Sequence, residues 1–344
     1  MKCKIIIPSF LLASCCWGCS ADDDMSNLSL PEDYGSVSYP YLYLEEGKSL
    51  SVEGSGETVR AVHADKGLLY VTNKAAREVE VYSLADLSKQ NISYGNAELD
   101  CCGGYACDSL VFVTSTNNPC QVSVFHRSTG AYICRLGDGT WWGPLVHPYS
   151  VAVNSKYVFV WNQGAPAVKV FNRAQIKQGA SLQTWASLDT ENIEGYNNQY
   201  SSLTVDGDTC LYALSGDRGN SMFVYNLPNE ISKGEKLKFD RKSLLANGQP
   251  YGLAFGNQYV YASVVRNGSN QLLVFNRKEF VANPDLNSPL FSYDKLPDGT
   301  LFKFNRNIAA KGDTIYLPQN QNKIYELIVC SVSIDVITPI NKMN

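Results

Sequence analysis

The stretch Val168-Lys169-Val170-Phe171 is a short apolar run that ends in an aliphatic residue followed by an aromatic one. The same signature ends five further runs, at Val81-Tyr82, Val124-Phe125, Val224-Tyr225, Val274-Phe275 and Ile324-Tyr325. Successive aromatic positions are separated by 43, 46, 54, 50 and 50 residues. A period in this range is typical of repeated four-stranded sheets, so the signature predicts an all-β repeat protein.

Two more strands are predicted upstream of each signature. The first is rich in small residues, as in Tyr149 to Val153, Tyr251 to Phe255 and the more diverged Ser201 to Val205, which suits a strand crowded near a central axis. The second is a nearly continuous aliphatic and aromatic run such as Val158-Phe159-Val160, which is typical of a strand covered on both faces. The signature itself belongs to the third strand.

Six such units predict a six-bladed β-propeller. Five or seven blades are the alternatives, because the inner strand of the second repeat, near Glu98 to Cys102, is poorly defined in the sequence. Closing the ring requires one blade built from both chain ends. We expect a strand around Ser49 to Val52 to complete the sheet of the last repeat, with Val332 to Ile337 beside it.

Two units carry a family resemblance. One runs from His147-Pro148-Tyr149-Ser150-Val151-Ala152-Val153 to Val168-Lys169-Val170-Phe171-Asn172-Arg173, and the other from Gln249-Pro250-Tyr251-Gly252-Leu253-Ala254-Phe255 to Leu273-Val274-Phe275-Asn276-Arg277. Both resemble NHL-type propeller repeats, and the likeness spans most of residues 59 to 329. The chain also resembles the propeller lipoproteins of Bacteroidetes, many of which have no assigned activity. The resemblance therefore implies an NHL-like propeller fold and not a function.

The first nineteen residues have a different character. Lys2 and Lys4 precede the apolar run Ile5 to Ala13, which is too short to span a membrane and is typical of a secretory signal. Leu12-Ala13-Ser14-Cys15 resembles the bacterial lipobox, and Cys19-Ser20-Ala21-Asp22-Asp23-Asp24 resembles the acidic surface-export signal of Bacteroidetes lipoproteins.

This resemblance implies a lipid on Cys19 or on Cys15. We favour Cys19, because the acidic run would then follow the lipid directly; the alternative is an ordinary cleaved signal. The predicted organisation is a signal region at 1–19, a flexible tether at 20–33 and a single propeller domain at 34–344. The expected location is the outer membrane, on the cell surface if the export signal acts, with membrane contact through the lipid anchor alone.

Charge and cysteine content exclude several classes of function. The net charge of −4 and the pI of about 5.5 argue against a nucleic-acid partner. Seven cysteines lie outside the signal region, an odd number that cannot pair completely. Five of them fall between Cys101 and Cys134 without the paired spacing of a zinc site. We expect mainly buried thiols, with room for one disulfide.

The candidate ligand-binding residues lie on loops that a propeller gathers around its channel mouth. These loops enter the inner strands or join the second strands to the third, and both kinds share one face of the ring, the top face. Aromatic rings and guanidinium groups there can stack on and hydrogen-bond a sugar or peptide. The strongest pair is Trp141-Trp142, since two adjacent tryptophans in a glycine-bounded loop are hard to bury together. The other candidates, for which turn formation or packing is the alternative role, are His147, Tyr149, Trp161, Tyr200, Tyr251, Arg60, Arg266 and Arg306.

The sequence predicts a non-enzymatic binding or scaffold module whose ligand is a glycan or a protein. The alternative is a metal-dependent propeller hydrolase, lactonase or lyase, with a divalent ion such as calcium in the axial channel. That site needs several acidic or histidine ligands, whereas the inner-strand starts offer Tyr, Ser, Gly and Arg. The chain has only His63, His126 and His147, and the carboxylates considered near the mouth are Asp100 and Asp217. No catalytic residue, metal ligand or cofactor is predicted.

Overall fold

The computed structural model describes residues 5–8, 34–54, 58–163, 167–190, 202–216, 220–283, 288–303, 307–319 and 322–339, with side chains from 41 to 331 within these ranges. The chain forms two compact units. The larger spans Glu46–Ile328, and the smaller comprises Met1–Glu45 with Val329–Asn344. Cys15 and Cys19, the predicted lipid anchors, lie outside the described residues.

Strands are numbered in chain order. The first two are β1 (Ile5–Pro8) and β2 (Tyr34–Ser51), and each repeat then builds one antiparallel sheet, or blade. Blade 1 contains β3 (Val59–Asp65), β4 (Leu68–Asn73), β5 (Glu78–Ser83) and β6 (Lys89–Gly95). Blade 2 contains β7 (Cys101–Cys107), β8 (Leu110–Ser115), β9 (Cys120–His126) and β10 (Tyr132–Gly139).

The chain segments of blades 3 and 4 each contribute a short parallel strand to the preceding blade. Blade 3 contains β11 (Ser150–Val153), β12 (Tyr157–Trp161), β13 (Val168–Asn172) and β15 (Ala186–Leu188), while β14 (Ser181–Leu182) joins β10 of blade 2. Blade 4 contains β16 (Ser202–Asp206), β17 (Cys210–Ser215), β18 (Ser221–Asn226) and β20 (Arg241–Ser243), while β19 (Lys236–Leu237) joins β15 of blade 3.

Blade 5 contains β21 (Gln249–Phe255), β22 (Tyr259–Arg266), β23 (Ser269–Asn276) and β24 (Phe291–Tyr293), with the short helix α1 (Arg277–Ala282) after β23. Blade 6 contains β25 (Ala309–Lys311), β26 (Thr314–Gln319) and β27 (Lys323–Pro339), and β2 pairs with β27. In the smaller unit β1 pairs in parallel with β27, with Ile5 opposite Ile334.

No helix among the described residues is long and apolar enough to cross a membrane.

The inner strands form a closed ring. Each of β3, β7, β11, β16, β21 and β25 contacts the next, and β25 contacts β3. The predicted all-β six-bladed propeller is therefore confirmed. The inner strand of blade 2 begins at Cys101, so only the last two residues of the poorly defined segment near 98–102 belong to a regular strand.

The repeated signatures lie in the third strands, where neighbouring blades cover both faces of the sheet. Val170 and Phe171 are both completely buried although their side chains point to opposite faces. This double coverage explains why the strands are continuous apolar runs rather than alternating ones.

One hydrogen bond joins the segment after β2 to blade 6, and one side chain joins blade 6 to blade 1. The Val52 amide, just after β2, donates to the Asn322 carbonyl at 2.8 Å. Asn307 bridges blade 6 to blade 1: its side-chain oxygen accepts from the Val62 amide at 3.0 Å, and its side-chain nitrogen donates to the Val62 carbonyl at 3.1 Å. The ring is thus joined by hydrogen bonds where its last inner strand meets the first.

All seven cysteines outside the signal region are free. Cys101, Cys120 and Cys134 are completely buried, as expected for small apolar side chains in a core. The others, Cys102, Cys107, Cys210 and Cys330, are partly exposed.

Candidate functional site

An axial cavity of about 200 Å³ lies inside the ring and is lined by residues of all six inner strands or of the segments that lead into them. We call the end where the inner strands begin the mouth end; it is the top face of the sequence analysis. Its lining comprises polar and aromatic side chains from different blades, namely Arg60, Cys102, Tyr149, Ser202, Tyr251 and Asn307. The ring therefore brings together groups that are far apart in the sequence.

The other end of the axial cavity is aromatic. The His63 ring of β3 stacks on the Tyr105 ring of β7, with 3.9 Å between the ring centroids. The His63 Nε2 atom lies 2.9 Å from the Ala106 carbonyl oxygen. Burial lowers the pKa of His63 to about 4, so this imidazole is neutral at neutral pH. Phe255 of β21 lines the cavity on the same side.

Three rings lead from the protein surface to the mouth end. Trp141 meets His147 edge to face at a centroid distance of 4.3 Å, and His147 is nearly parallel to Tyr149 at 6.5 Å. We call Trp141, His147 and Tyr149 the aromatic series. The neighbouring Trp142 is 91% exposed, and Trp141 is 42% exposed. The series thus joins an exposed aromatic surface to the wall of the axial cavity.

The loop that carries the two tryptophans is ordered by local hydrogen bonds. The Asp138 side chain accepts from the Thr140 amide at 2.9 Å and from the Thr140 hydroxyl at 2.8 Å, which forms a tight turn at the end of β10. The Gly143 amide donates to the Thr140 carbonyl at 3.3 Å. These contacts fix the backbone on both sides of Trp141 and Trp142.

His147 has an uncommon backbone conformation. Its φ of 45° lies in the left-handed region, which non-glycine residues adopt infrequently. The Val146 amide donates to the Asn162 side chain, and the Gln163 amide donates to the Val146 carbonyl at 2.8 Å. Burial lowers the pKa of His147. Strained backbone held in this way is common at functional sites.

Asp100, one of the two carboxylates considered near the mouth, is already engaged. It accepts from the Thr116 hydroxyl at 2.8 Å and from the Asn117 side chain, and it pairs with Lys74 at 3.3 Å. The Thr116 hydroxyl is also 3.4 Å from the Cys102 sulfur, and burial raises the pKa of this thiol. Asp217, the other carboxylate, lies outside the described residues.

The structure describes eight of the ten predicted site residues and places them in four different settings. Trp141, Trp142, His147 and Tyr149 lie together, and Arg60, Tyr149 and Tyr251 line the axial cavity. Arg266 ends β22 at the mouth end but does not line the cavity. Tyr200 and Arg306 lie outside the described residues.

Trp161 does not lie where the sequence predicts a ligand-binding residue. The sequence suggests a loop residue after Val158-Phe159-Val160, but the strand continues and Trp161 pairs with Ser150 and Val168. Its side chain is completely buried in the hydrophobic cluster that includes Leu203 and Phe223. It is therefore a core residue between blades and does not present its ring to a ligand.

Sequence reasoning missed several polar cavity residues, among them Cys102, Ser202, Thr204 and Asn307. They are small or ordinary polar residues in strands whose sequence indicates only β structure. The sequence feature that could have identified them is their position at or near the start of an inner strand. In the closed ring, these positions lie around the central axis. Thr204 hydrogen-bonds across blades, its hydroxyl donating to the Leu253 carbonyl at 2.8 Å.

Within the part of the chain that the structure describes, no three His, Cys, Asp or Glu side chains group in a way that could hold a metal ion. No protein-family model matches the chain, and no curated protein sequence matches it. The similarities found are to solved structures.

Two of these structures have the same fold. Virginiamycin B lyase from Staphylococcus aureus superposes with a TM-score of 0.50 at 12% identity, over 84% of this chain and 100% of that one. A streptogramin B lyase superposes with a TM-score of 0.51 at 10% identity, over 84% and 98%. At this identity the likeness shows the six-bladed propeller fold alone.

Proposed function

We propose that this propeller is a non-enzymatic glycan-binding module whose ligand lies on the mouth end. The observation that carries the proposal is Trp142, 91% exposed beside Trp141 and the aromatic series. A large aromatic side chain held in water by an ordered loop loses the free energy that burial would provide. A ligand that covers it restores that contribution.

The chemistry around the tryptophans favours a sugar. A pyranose ring has C–H faces, which can stack on an indole ring. It also has hydroxyl groups at its edge, which need polar hydrogen-bond partners. Trp141 and Trp142 supply the faces, and polar groups follow toward the axis, from His147 and Tyr149 to Arg60. A protein ligand is the other partner expected from the sequence, and a scaffold role would require protein contacts without a small ligand.

The test is a glycan array probed with the domain that begins at residue 34. We expect binding by the wild type and its loss when Trp141 and Trp142 are both changed to Ala. Tyr132→Ala is the matched control, because Tyr132 is 44% exposed at the opposite end of β10, the strand that leads into the tryptophan loop. Binding that survives the double substitution, or that depends on Tyr132 instead, contradicts the proposal.

The rival function is a hydrolase or lyase with an axial site. Its support is the fold shared with the two lyases at 10–12% sequence identity. A shared propeller fold does not imply a shared catalytic activity. Incubating the domain with virginiamycin B and following the antibiotic by mass spectrometry separates the two functions. A glycan-binding module leaves the antibiotic intact, whereas a lyase converts it.

We also propose that the module is a lipoprotein of the outer membrane. The support is the sequence at Cys15 and Cys19, together with the polar segment 20–33, which is long enough to separate the propeller from the bilayer. A glycan-binding propeller held at a membrane surface would keep its sugar ligand close to the cell.

A further inference from the structure

The last strand, β27, extends well beyond the blade that it completes. β26 pairs with it only from Lys323 to Ile328, whereas β27 continues to Pro339. The second half of β27 belongs to the smaller unit, which also contains the first part of β2, and β2 pairs with β27. In the same unit β1 pairs in parallel with residues 334–337. Since a strand has only two edges, β1 occupies the edge of β27 that β2 leaves open.

The strand that covers this edge belongs to a segment that a processed lipoprotein loses. β1 comprises Ile5–Pro8, which lie inside the signal region at 1–19. Cleavage before Cys15 or before Cys19 removes β1 in either case, and the inference rests on this part of the proposed function. Among the described residues no strand other than β1 and β2 pairs with the second half of β27. The mature protein therefore has unpaired backbone groups at residues 334–337.

The sequence of this edge lacks the features that keep exposed edges apart. From Ile328 to Thr338 the strand is rich in valine and isoleucine, and Asp335 is its only charged residue. Lysine is absent from this stretch, and the first proline comes at Pro339, where the strand ends. Proteins protect exposed edge strands with charged residues, proline or a bulge. A two-stranded ribbon is also only marginally stable in water, and a third strand stabilises it.

We infer that the edge of β27 at residues 334–337 pairs with the same edge in a second copy of this chain. Two identical strands related by a twofold axis pair in the antiparallel sense, so each copy satisfies the backbone groups of the other. The edge already accepts an aliphatic strand, Ile5–Pro8, and β27 is itself such a strand. Lipid anchors on one membrane would raise the local concentration of the two copies. The dimer is then joined by a four-stranded sheet of β2 and β27 from each copy.

The test is the molar mass in solution, by light scattering and sedimentation velocity, of the chain that begins at Ser20. We expect a dimer that dissociates on dilution. Changing both Ile334 and Val336 to Lys should weaken it roughly tenfold or more, because like charges then meet across the twofold axis. Tyr41→Lys is the matched control, since it adds the same charge to β2 at a side chain that is 47% exposed.

Two further measurements do not depend on the folding of the lysine variant. Deletion of residues 332–344 removes the edge and keeps every pair between β26 and β27, so the shortened chain should be a folded monomer. A synthetic peptide with the sequence of residues 4–10 contains β1, and an excess of it should convert the dimer to monomer by covering the edge. A peptide of the same composition in scrambled order is its control.

Three outcomes overturn the inference: a monomer at every concentration, a dimer that persists after the deletion, or equal effects of the lysine pair and of Tyr41→Lys. The chain that begins at Ser20 lacks β1 whatever the cell does, so its mass is measured independently of lipid attachment. A dimer together with a wild type that takes up no lipid overturns the lipoprotein proposal and leaves the pairing of β27 standing. A monomer together with a lipid-labelled wild type overturns the pairing alone.

Discussion

Arg277 of blade 5 donates to the Asp206 carboxylate of blade 4 at 2.7 Å. The same guanidinium donates to the Gly256 carbonyl at 2.6 Å and lies over the Phe255 ring, 5.5 Å from its centroid. Arg277 follows the third strand of its blade, and Asp206 ends the inner strand of the preceding blade. The contact therefore ties two neighbouring blades together at the end of the ring opposite the mouth.

The same ion pair occurs at two more blade junctions. Arg173 of blade 3 reaches Asp108 of blade 2 at 2.9 Å, and Arg127 of blade 2 pairs with Asp65 of blade 1. Each arginine lies two residues after the Phe of a repeat signature. In the other three repeats the signature ends in Tyr, and the equivalent residues are Leu84, Leu227 and Leu327. The six repeats thus form two classes, Phe-x-Arg with an ion pair to the preceding blade and Tyr-x-Leu without one.

We predict that Arg277→Met lowers the free energy of unfolding by about 1–2 kcal/mol, because it leaves Asp206 and the Gly256 carbonyl without their donor. The expected loss is modest since the Arg277 and Asp206 side chains are both partly exposed to water. Urea denaturation of Arg277→Met, Asp206→Asn and the double variant measures the coupling between the two side chains. Arg266→Met is the control on the same blade. A coupling energy within error of zero would show that the ion pair does not stabilise the ring.

His63 should make the stability depend on pH. Its folded pKa of about 4 lies below its usual value of 6.5, so between these values the unfolded chain binds a proton that the folded protein does not. Stability is therefore undiminished above pH 6.5, declines as the pH falls toward 4, and loses nothing more from this group below that. The expected loss is about 1–3 kcal/mol.

The measurement is the unfolding free energy of the wild type and of His63→Phe at several pH values. His63→Phe keeps a ring against Tyr105 and should show a shallower decline between pH 6.5 and 4. His126→Gln is the control variant that removes an imidazole at an exposed position. Identical pH profiles for the wild type and His63→Phe would contradict the assignment.

Gly103 on the inner strand of blade 2 allows blade 3 to approach closely. A Cβ atom there would lie 2.6 Å from the Tyr149 carbonyl oxygen, closer than such atoms can pack, and 3.0 Å from the Thr114 hydroxyl, which is tight. We expect Gly103→Ala to cost about 1–3 kcal/mol and to displace Tyr149, which weakens ligand binding at the mouth. Thermal denaturation and a glycan titration check both effects. Wild-type stability together with wild-type binding would show that the two blades can separate without cost.

The lipid anchor can be located by metabolic labelling with an alkyne fatty acid in a bacterium that processes lipoproteins. If Cys19 carries the lipid, Cys19→Ser abolishes labelling and membrane retention, whereas Cys15→Ser leaves both unchanged. The reverse pattern places the lipid on Cys15. Labelling that survives in the double variant would place the lipid on neither cysteine, and a wild type that takes up no label would contradict the lipoprotein proposal.

The fold could be predicted from sequence because each signature marks a strand covered on both faces. Val170-Phe171 and its five counterparts must be apolar at consecutive positions, and this requirement recurs once per blade. The two classes of signature were also visible, since Arg127, Arg173 and Arg277 differ from the leucines at the equivalent positions. Their partners were not, because an ion pair between blades depends on how adjacent sheets align.

The site could be predicted only in part, for the same reason. Trp141 and Trp142 could be selected from the sequence because two adjacent tryptophans in a short, glycine-bounded loop are hard to bury together. Trp161 was misjudged because the length of β12 depends on its pairing with β13. The His63–Tyr105 stack joins residues of two different blades, and nothing local to either residue signals the other.

The most direct test of the central claim is a crystal structure of the domain with an oligosaccharide selected on the glycan array. We expect a sugar ring stacked on the exposed face of Trp142 or Trp141, with the oligosaccharide directed past His147 and Tyr149 toward Arg60. A sugar bound anywhere else, for example beside Tyr132 at the opposite end of the blade, would contradict it.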